Sequence, residues 1–131
     1  MANRRTPKEK RIVWEHGEIK SPPFSADARI HAGTLLRRLQ EGELLGKPHS
    51  EPIPVIGRHC YELKVQDKGH WWRIFYRNDS DAIVIAGVLP KKSNETPKQV
   101  IDTCKARFAR YDQKVQEAKK AQEAEKQRRG E

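Results

Sequence analysis

Four cations, Lys64, Arg73, Lys91 and Lys92, carry most of the chemical potential of this chain, with the rings of Trp71 and Phe75 interleaved among them. Cations alternating with aromatic rings suit single-stranded nucleic acid, because bases stack on the rings while the cations track phosphates. Cleavage of RNA needs little more than such a face. A base must accept the 2′-hydroxyl proton, positive charge must stabilise the extra charge on phosphorus, and an acid must protonate the leaving oxygen. Like-charge repulsion inside the cluster makes a lysine easier to deprotonate, so one lysine could serve as the base. Plainer readings stand beside this one. Glu62, diagonal to Arg73, can simply pair with it on a solvated face, where ion pairs are worth little. Trp71 and Phe75 can pack under the N-terminal segment or the last helix, and for Phe75 that is the expectation.

Other chemistries find no support. No Ser-His-Asp arrangement, phosphate-binding Gly loop or pair of carboxylates can be placed. His16, His31, His49, His59 and His70 show no metal-ligand spacing, and no cofactor is implied. Cys60 and Cys104 lack a CxxC partner, which favours buried thiols over a disulfide or zinc site.

The elements that must position the cations lie between Cys60 and Lys92. Three alternating runs are separated by polar turns centred on Lys68-Gly69 and Asp79-Ser80, predicting two successive antiparallel hairpins. The first hairpin sets Val65 opposite Trp72, Leu63 opposite Ile74 and Tyr61 opposite Tyr76. The second sets Tyr76 opposite Ile83 and Ile74 opposite Ile85, which puts Ala86 beside Arg73 and Gly87 beside Trp72. One side of the meander is then continuously apolar, and a slip by one residue would invert every side chain. The other side carries Lys64 directly across from Arg73, a destabilising arrangement that suggests an anion between them. Alternation continued through Pro90 brings Lys92 to that side, with Lys91 next to it.

Upstream, residues 1–10 form a polar, basic arm expected to be disordered, and Arg11–Trp14 reads as an opening strand pairing with the meander. Ser21-Pro22-Pro23 closes that strand. Ser25 can cap a helix with Asp27 in its first turn, Ala28, Ala32, Leu35, Leu36 and Leu39 form its apolar stripe, and Gly42 stops it. The stretch from Gly46 to Gly57 holds three prolines and two glycines in twelve residues. It reads as a surface connection with room for one helical turn. Thr96-Pro97-Lys98-Gln99 predicts a capped helix start with Gln99 completing a capping box. Ile101, Cys104, Phe108, Tyr111, Val115 and Ala118 recur at helical spacing, so the upstream half should dock and the charged remainder project. The division expected is an arm over 1–10, a domain over 11–111 and a helical tail over 112–131.

The chain has 131 residues and a net charge of +9, divided as +4 over residues 1–11, +4 over 12–111 and +1 over 112–131. The domain is basic in its own right, which points to a polyanionic partner such as nucleic acid, the ribosome or an acidic protein. No run approaches a membrane span and no apolar stretch follows the basic N-terminus, so a cytoplasmic protein is expected.

YELKV, the WRIFY run after a Gly turn, IVIAGVLPKK and ETPKQVIDTCKARFARY resemble the phage-derived Gp49-like, HigB-type branch of the RelE/ParE toxin superfamily. The resemblance covers about residues 11–111 and is most specific over residues 60–111. It implies an α+β fold, with a small twisted, mainly antiparallel sheet of about four strands packed on one or two N-terminal helices and followed by a C-terminal helix. It also implies a metal-independent endoribonuclease, the toxin of a type II toxin–antitoxin system. Such an enzyme cuts mRNA on the translating ribosome and is held inactive by a cognate antitoxin, a helix-turn-helix protein. Carried over, Lys64, Arg73, Lys91 and Lys92 are the catalytic candidates, with Lys64 or Lys92 moving the proton. Arg58, His59, His70, Trp71 and Arg77 are candidates for RNA contact. The family's Tyr near the last segment is replaced here by Thr96, Pro97 and Lys98, and His59 or His70 could take over its role. ParE-like inhibition of gyrase, and a non-catalytic nucleic-acid-binding or adaptor role, are the alternatives.

Overall fold

The computed structural model describes residues 9–15, 24–92 and 95–130, and within them two helices cover a single five-stranded sheet. In chain order the elements are β1 (Arg11–Trp14), α1 (Ala26–Gln40), β2 (Ser50–Pro52), β3 (Cys60–Asp67), β4 (His70–Asn78), β5 (Ala82–Pro90) and α2 (Lys98–Arg128). The sheet order is β1-β5-β4-β3-β2, antiparallel except for the β1–β5 pair. This is the α+β architecture expected of a RelE-like domain, with one strand more than anticipated. The arm over residues 1–8 and the Ser21-Pro22-Pro23 stop lie outside the described residues. Lys10, assigned to the arm, is bound: its amine donates to Asn78 and its backbone N–H to Gln40.

Helix α1 forms as its pattern requires. The Ser25 hydroxyl accepts the Ala28 N–H at 3.2 Å, and Ala28, Ala32, Leu35, Leu36 and Leu39 are its buried residues. They meet Leu63, Val65, Trp72, Ile74, Tyr76, Ile83 and Ile85 from the sheet in the first core. Asp67 fastens the helix start to the sheet by accepting the Ser25 backbone N–H at 3.0 Å and the Trp72 indole at 3.1 Å.

The first hairpin has the expected register, closed by a turn in which Lys68 and Gly69 both take positive φ. The second differs. Tyr76 faces Ile85, Ile74 faces Val88, Arg73 faces Leu89 and Trp72 faces Pro90. The turn closes one residue later than expected, with the Asp79 N–H bonded to Ala82, and β5 carries one extra residue in a bulge. Ala86 is that residue, and its carbonyl accepts from Arg107 at 2.7 Å instead of from β4. A bulge leaves no trace in alternation, because it changes pairing without changing composition.

Two further expectations are corrected. The Gly46–Gly57 connection contains an edge strand, β2, which a pattern rich in prolines conceals. The capping box at α2 does not form. Pro97 is the N-cap, without a side-chain cap, and the Thr96 hydroxyl is occupied by Arg73. The sheet side carrying Arg73 is also no solvated face. Phe75, Ala82, Val84 and Ala86 lie on it under Cys104, Phe108 and Tyr111 of α2, forming a second core. Cys60 and Cys104 are buried, unpaired thiols within it. Beyond Tyr111 the described part of α2 has no buried residue, and it continues as helix to Arg128. No helix among the described residues is long and apolar enough to cross a membrane.

Candidate functional site

Strands β2, β3 and β4 place four charged side chains on the side facing α2. Glu51 stands directly opposite Glu62, and Lys64 directly opposite Arg73. Like charges facing each other across a ladder are destabilising. Here the ion pairs form on the diagonals, Lys64 with Glu51 and Arg73 with Glu62, so that like charges adjoin and opposite charges bond. The quartet is formally neutral. The repulsion inferred between Lys64 and Arg73 is thereby answered by protein carboxylates.

Arg73 is the most constrained member. Its side chain is 5% exposed, and it grips Glu62 with two bonds, Nε at 2.7 Å and Nη2 at 3.0 Å. Nη2 also donates to the Thr96 hydroxyl at 2.7 Å, and Nη1 to the Glu95 carbonyl at 3.1 Å. The guanidinium lies 5.0 Å from the Phe75 ring centroid. A guanidinium has five N–H groups; one, on Nη1, is not used by any described residue. The Glu51 carboxyl is held below the usual carboxylate range, first by the hydrogen bond from Lys64 and then by the charges of Lys64, Lys47 and Lys91.

Arg73 forms part of the wall of a pocket of about 210 Å³, together with Lys92, Glu95, Leu89, Pro97 and Val100. The pocket opens where β5 ends and α2 begins. Lys92 is exposed and has no ion pair among the described residues. Lys91 continues the ladder by donating its backbone N–H to the Trp71 carbonyl at 2.9 Å, and Trp71 is 39% exposed beside it. The structure therefore gathers Lys64, Arg73, Lys91, Lys92 and Trp71 at one end of the sheet.

The remaining candidates lie elsewhere. His70 sits edge-on to Trp72, 5.8 Å between centroids, on the α1 side. His59 lines a hollow with Tyr61, Leu44 and Asn78. Arg77 shares the side of Arg73, but four residues further along β4, about 13 Å away at strand spacing. It bonds Asp79 through Nε at 2.7 Å and Asp112 through Nη2 at 2.6 Å, and it stacks 5.2 Å from the Phe108 centroid. These carboxylates push its pKa far up, the Asp79 bond first. Arg58 lies near it, in a hollow of about 350 Å³ with Lys105 and Asp112. Sequence reasoning missed Glu51, which a proline-rich segment hid, and the roles of Glu95 and Thr96, which no local signal marks.

A family model for phage-derived protein Gp49-like (DUF891) matches residues 22–109. The chain belongs to this family. Gp49-like proteins are a RelE/HigB-like toxin family, which is consistent with the toxin component of a toxin–antitoxin pair and with a cognate antitoxin as partner. The match runs from just before α1 to the buried part of α2, and so takes in β2–β5 and the charge quartet of this Gp49-like chain. No curated protein and no solved structure gives a significant match.

Proposed function

We propose that this protein is the toxin of a type II toxin–antitoxin system and acts as a ribosome-dependent mRNA endoribonuclease. The reading is carried by one observation: Lys92, exposed and unpaired among the described residues, lines the same pocket as a rigidly held arginine. A phosphate in that pocket would meet the remaining N–H of Arg73 and the ammonium of Lys92. In the reaction the 2′-hydroxyl gives its proton to solvent water and forms a bond to phosphorus, while the bond from phosphorus to the 5′-oxygen breaks and that oxygen takes a proton from the Lys92 ammonium, which is restored from solvent. Arg73 stabilises the charge that builds on the phosphoryl oxygens, and its clasp by Glu62 fixes its direction in advance. Lys92 is the proton-transfer group at the leaving oxygen. Lys91 adds positive charge along the RNA, Lys64 is held by Glu51 at its edge, and Trp71 offers a ring for stacking. The partners are mRNA on the ribosome and a helix-turn-helix antitoxin, in the cytoplasm.

The test is single-turnover cleavage of ribosome-bound mRNA, alongside binding at several salt concentrations. Lys92→Ala should leave binding nearly intact and slow cleavage by roughly 10²–10⁴-fold, the range for a lost general acid or base. Lys64→Ala and Lys91→Ala should mainly weaken binding and its salt dependence, by about one counterion each. Small, equal losses in all three variants, with no rate defect beyond binding, would leave the reaction without its proton-transfer group.

A further inference from the structure

The pocket beside Arg73 does not end at Val100. Leu89 and Val100 are shared with a second hollow of about 340 Å³, which follows the seam between β5 and α2 toward Arg107. The volume is within the range of small-ligand sites, about 300–1,000 Å³. The floor of this hollow is the bulge itself. Ala86 is turned out of the β4 ladder, and Gly87 presents no side chain, so the gap between strand and helix stays open. A Cβ at Gly87 would come within ordinary contact of Phe75 and Cys104, at 3.8 and 3.9 Å. The Cys104 thiol, pushed up to about 11 by burial, remains protonated and acts as an apolar wall.

The rim has a different chemistry. Gln99 and Thr103 stand one turn apart on α2, and Arg107 one turn further, all lining the hollow. Arg107 spends one N–H on the Ala86 carbonyl, and its other donors, like the Gln99 amide and the Thr103 hydroxyl, have no partner among the described residues. A flat apolar slot edged by donors and acceptors, opening at one end onto a phosphate pocket, has the layout of a nucleotide site. Recognition of a base needs a ring-sized apolar slot and a few polar groups along its edge.

We propose that the β5–α2 cleft is a base-binding subsite, taking the nucleobase next to the phosphate held at Arg73 and Lys92, with Gln99, Thr103 and Arg107 reading its edge. The inference rests on the nuclease reading above and adds to it the determinant of cut-site preference. Charge favours this occupant over an antitoxin segment, since Lys92 at one end and Arg107 at the other have no carboxylate partner among the described residues and suit a phosphodiester chain.

The experiment is to map cuts in mRNAs with randomised codons on translating ribosomes, comparing wild type with Gly87→Val and with the double variant Gln99→Ala/Thr103→Val. Gly87→Val fills the slot, while the double variant strips the polar rim, exposed at Gln99 and half-buried at Thr103, and removes no buried residue. Melting temperature and antitoxin binding are measured for each. Wild type should prefer one base beside the cut, and the double variant should lose that preference by about tenfold or more, within the range one lost recognition contact produces. Gly87→Val, where folded, should do the same. A wild type that cuts with no preference, or variants that keep it, would overturn the subsite and leave the nuclease standing. Variants that lose antitoxin binding while cutting at the same bases would assign the cleft to a protein partner and also overturn it. A wild type that cuts nothing would remove the nuclease reading and the subsite together.

Discussion

Arg73 and Arg77 leave the same strand on the same side, each over an aromatic ring, one gripped by a single carboxylate and the other by two, and they hold different things in place. Arg73 bonds Glu62, two strand positions away on β3, and then the loop that leads into α2. Glu62 holds it from β3, and Glu95, which accepts from it, lines the same pocket as Lys92. Arg77 bonds the turn between β4 and β5 through Asp79 and the middle of α2 through Asp112, so it is a rivet between elements with carboxylates on both flanks. The lesson is that an arginine's identity and its strand position do not distinguish a site from a strut. What separates them is the number of carboxylates, one on Arg73 and two on Arg77, since each guanidinium keeps one Nη1 N–H without a described partner and each lines a hollow.

The contrast is sharpest in stability. Glu62→Ala should leave Arg73 buried without its partner, a loss of about 3–5 kcal/mol, typical of removing one member of a buried pair. Urea unfolding reads this directly, and an unchanged midpoint would show that water reaches Arg73 and that its geometry is not preset. Arg77→Ala should cost less, about 1–3 kcal/mol, because Asp112 is 57% exposed and can return to solvent. It should also loosen α2 locally, measured as faster hydrogen exchange around Phe108 and Tyr111. Equal losses from Arg73→Ala and Arg77→Ala, with equal retention of cleavage, would erase the distinction between them. Trp72→Ala, on the opposite core, provides the reference for an ordinary buried side chain, with a loss of about 3–5 kcal/mol.

The smallest effect concerns pH. Glu51 and Asp67 both have folded carboxyls held below the usual range, Glu51 by Lys64 and Asp67 by the Ser25 hydroxyl and backbone N–H. A lowered folded pKa means that the unfolded chain takes up the proton first as pH falls. The stabilisation is therefore full above the ordinary carboxylate pKa and is lost as pH falls through the folded one. Asp67→Asn and Glu51→Gln should each flatten the acid limb of stability against pH, measured by thermal melts from pH 7 downward. A limb as steep as that of wild type would remove the assigned pairs from the balance.

The legible parts of this chain are those in which one local pattern answers one burial problem. The stripe Ala28, Ala32, Leu35, Leu36 and Leu39 and the Ser25 cap are read directly, because helical spacing and capping chemistry are properties of neighbours in sequence. The hairpin at Lys68-Gly69 is equally plain, since a tight turn sets the register on both sides. The second hairpin misled because a turn closing one residue later shifts the pairing by two positions and the bulge at Ala86 by one more, while the apolar alternation of Ile83 and Ile85 stays intact. Thr96 misled for another reason: its hydroxyl suits a helix cap, but Arg73 is the partner that needs it more, and Arg73 is remote in sequence.

By itself the sequence determined the family resemblance, the basic character, the strands of the meander and the set of cations from which a site can be built. Each follows from composition or from periods of two and of three to four residues, and these survive without knowledge of distant partners. Only the tertiary structure decided which cations are neutralised and which look outward. Glu51 comes to Lys64 on an edge strand that its own residues barely announce, and Glu62 reaches Arg73 across a register that must first exist. Charge pairing depends on separations of a few ångströms between residues far apart in the chain, and on the competition among every carboxylate within reach. Such competition is resolved only when the sheet, the bulge and α2 are in place together.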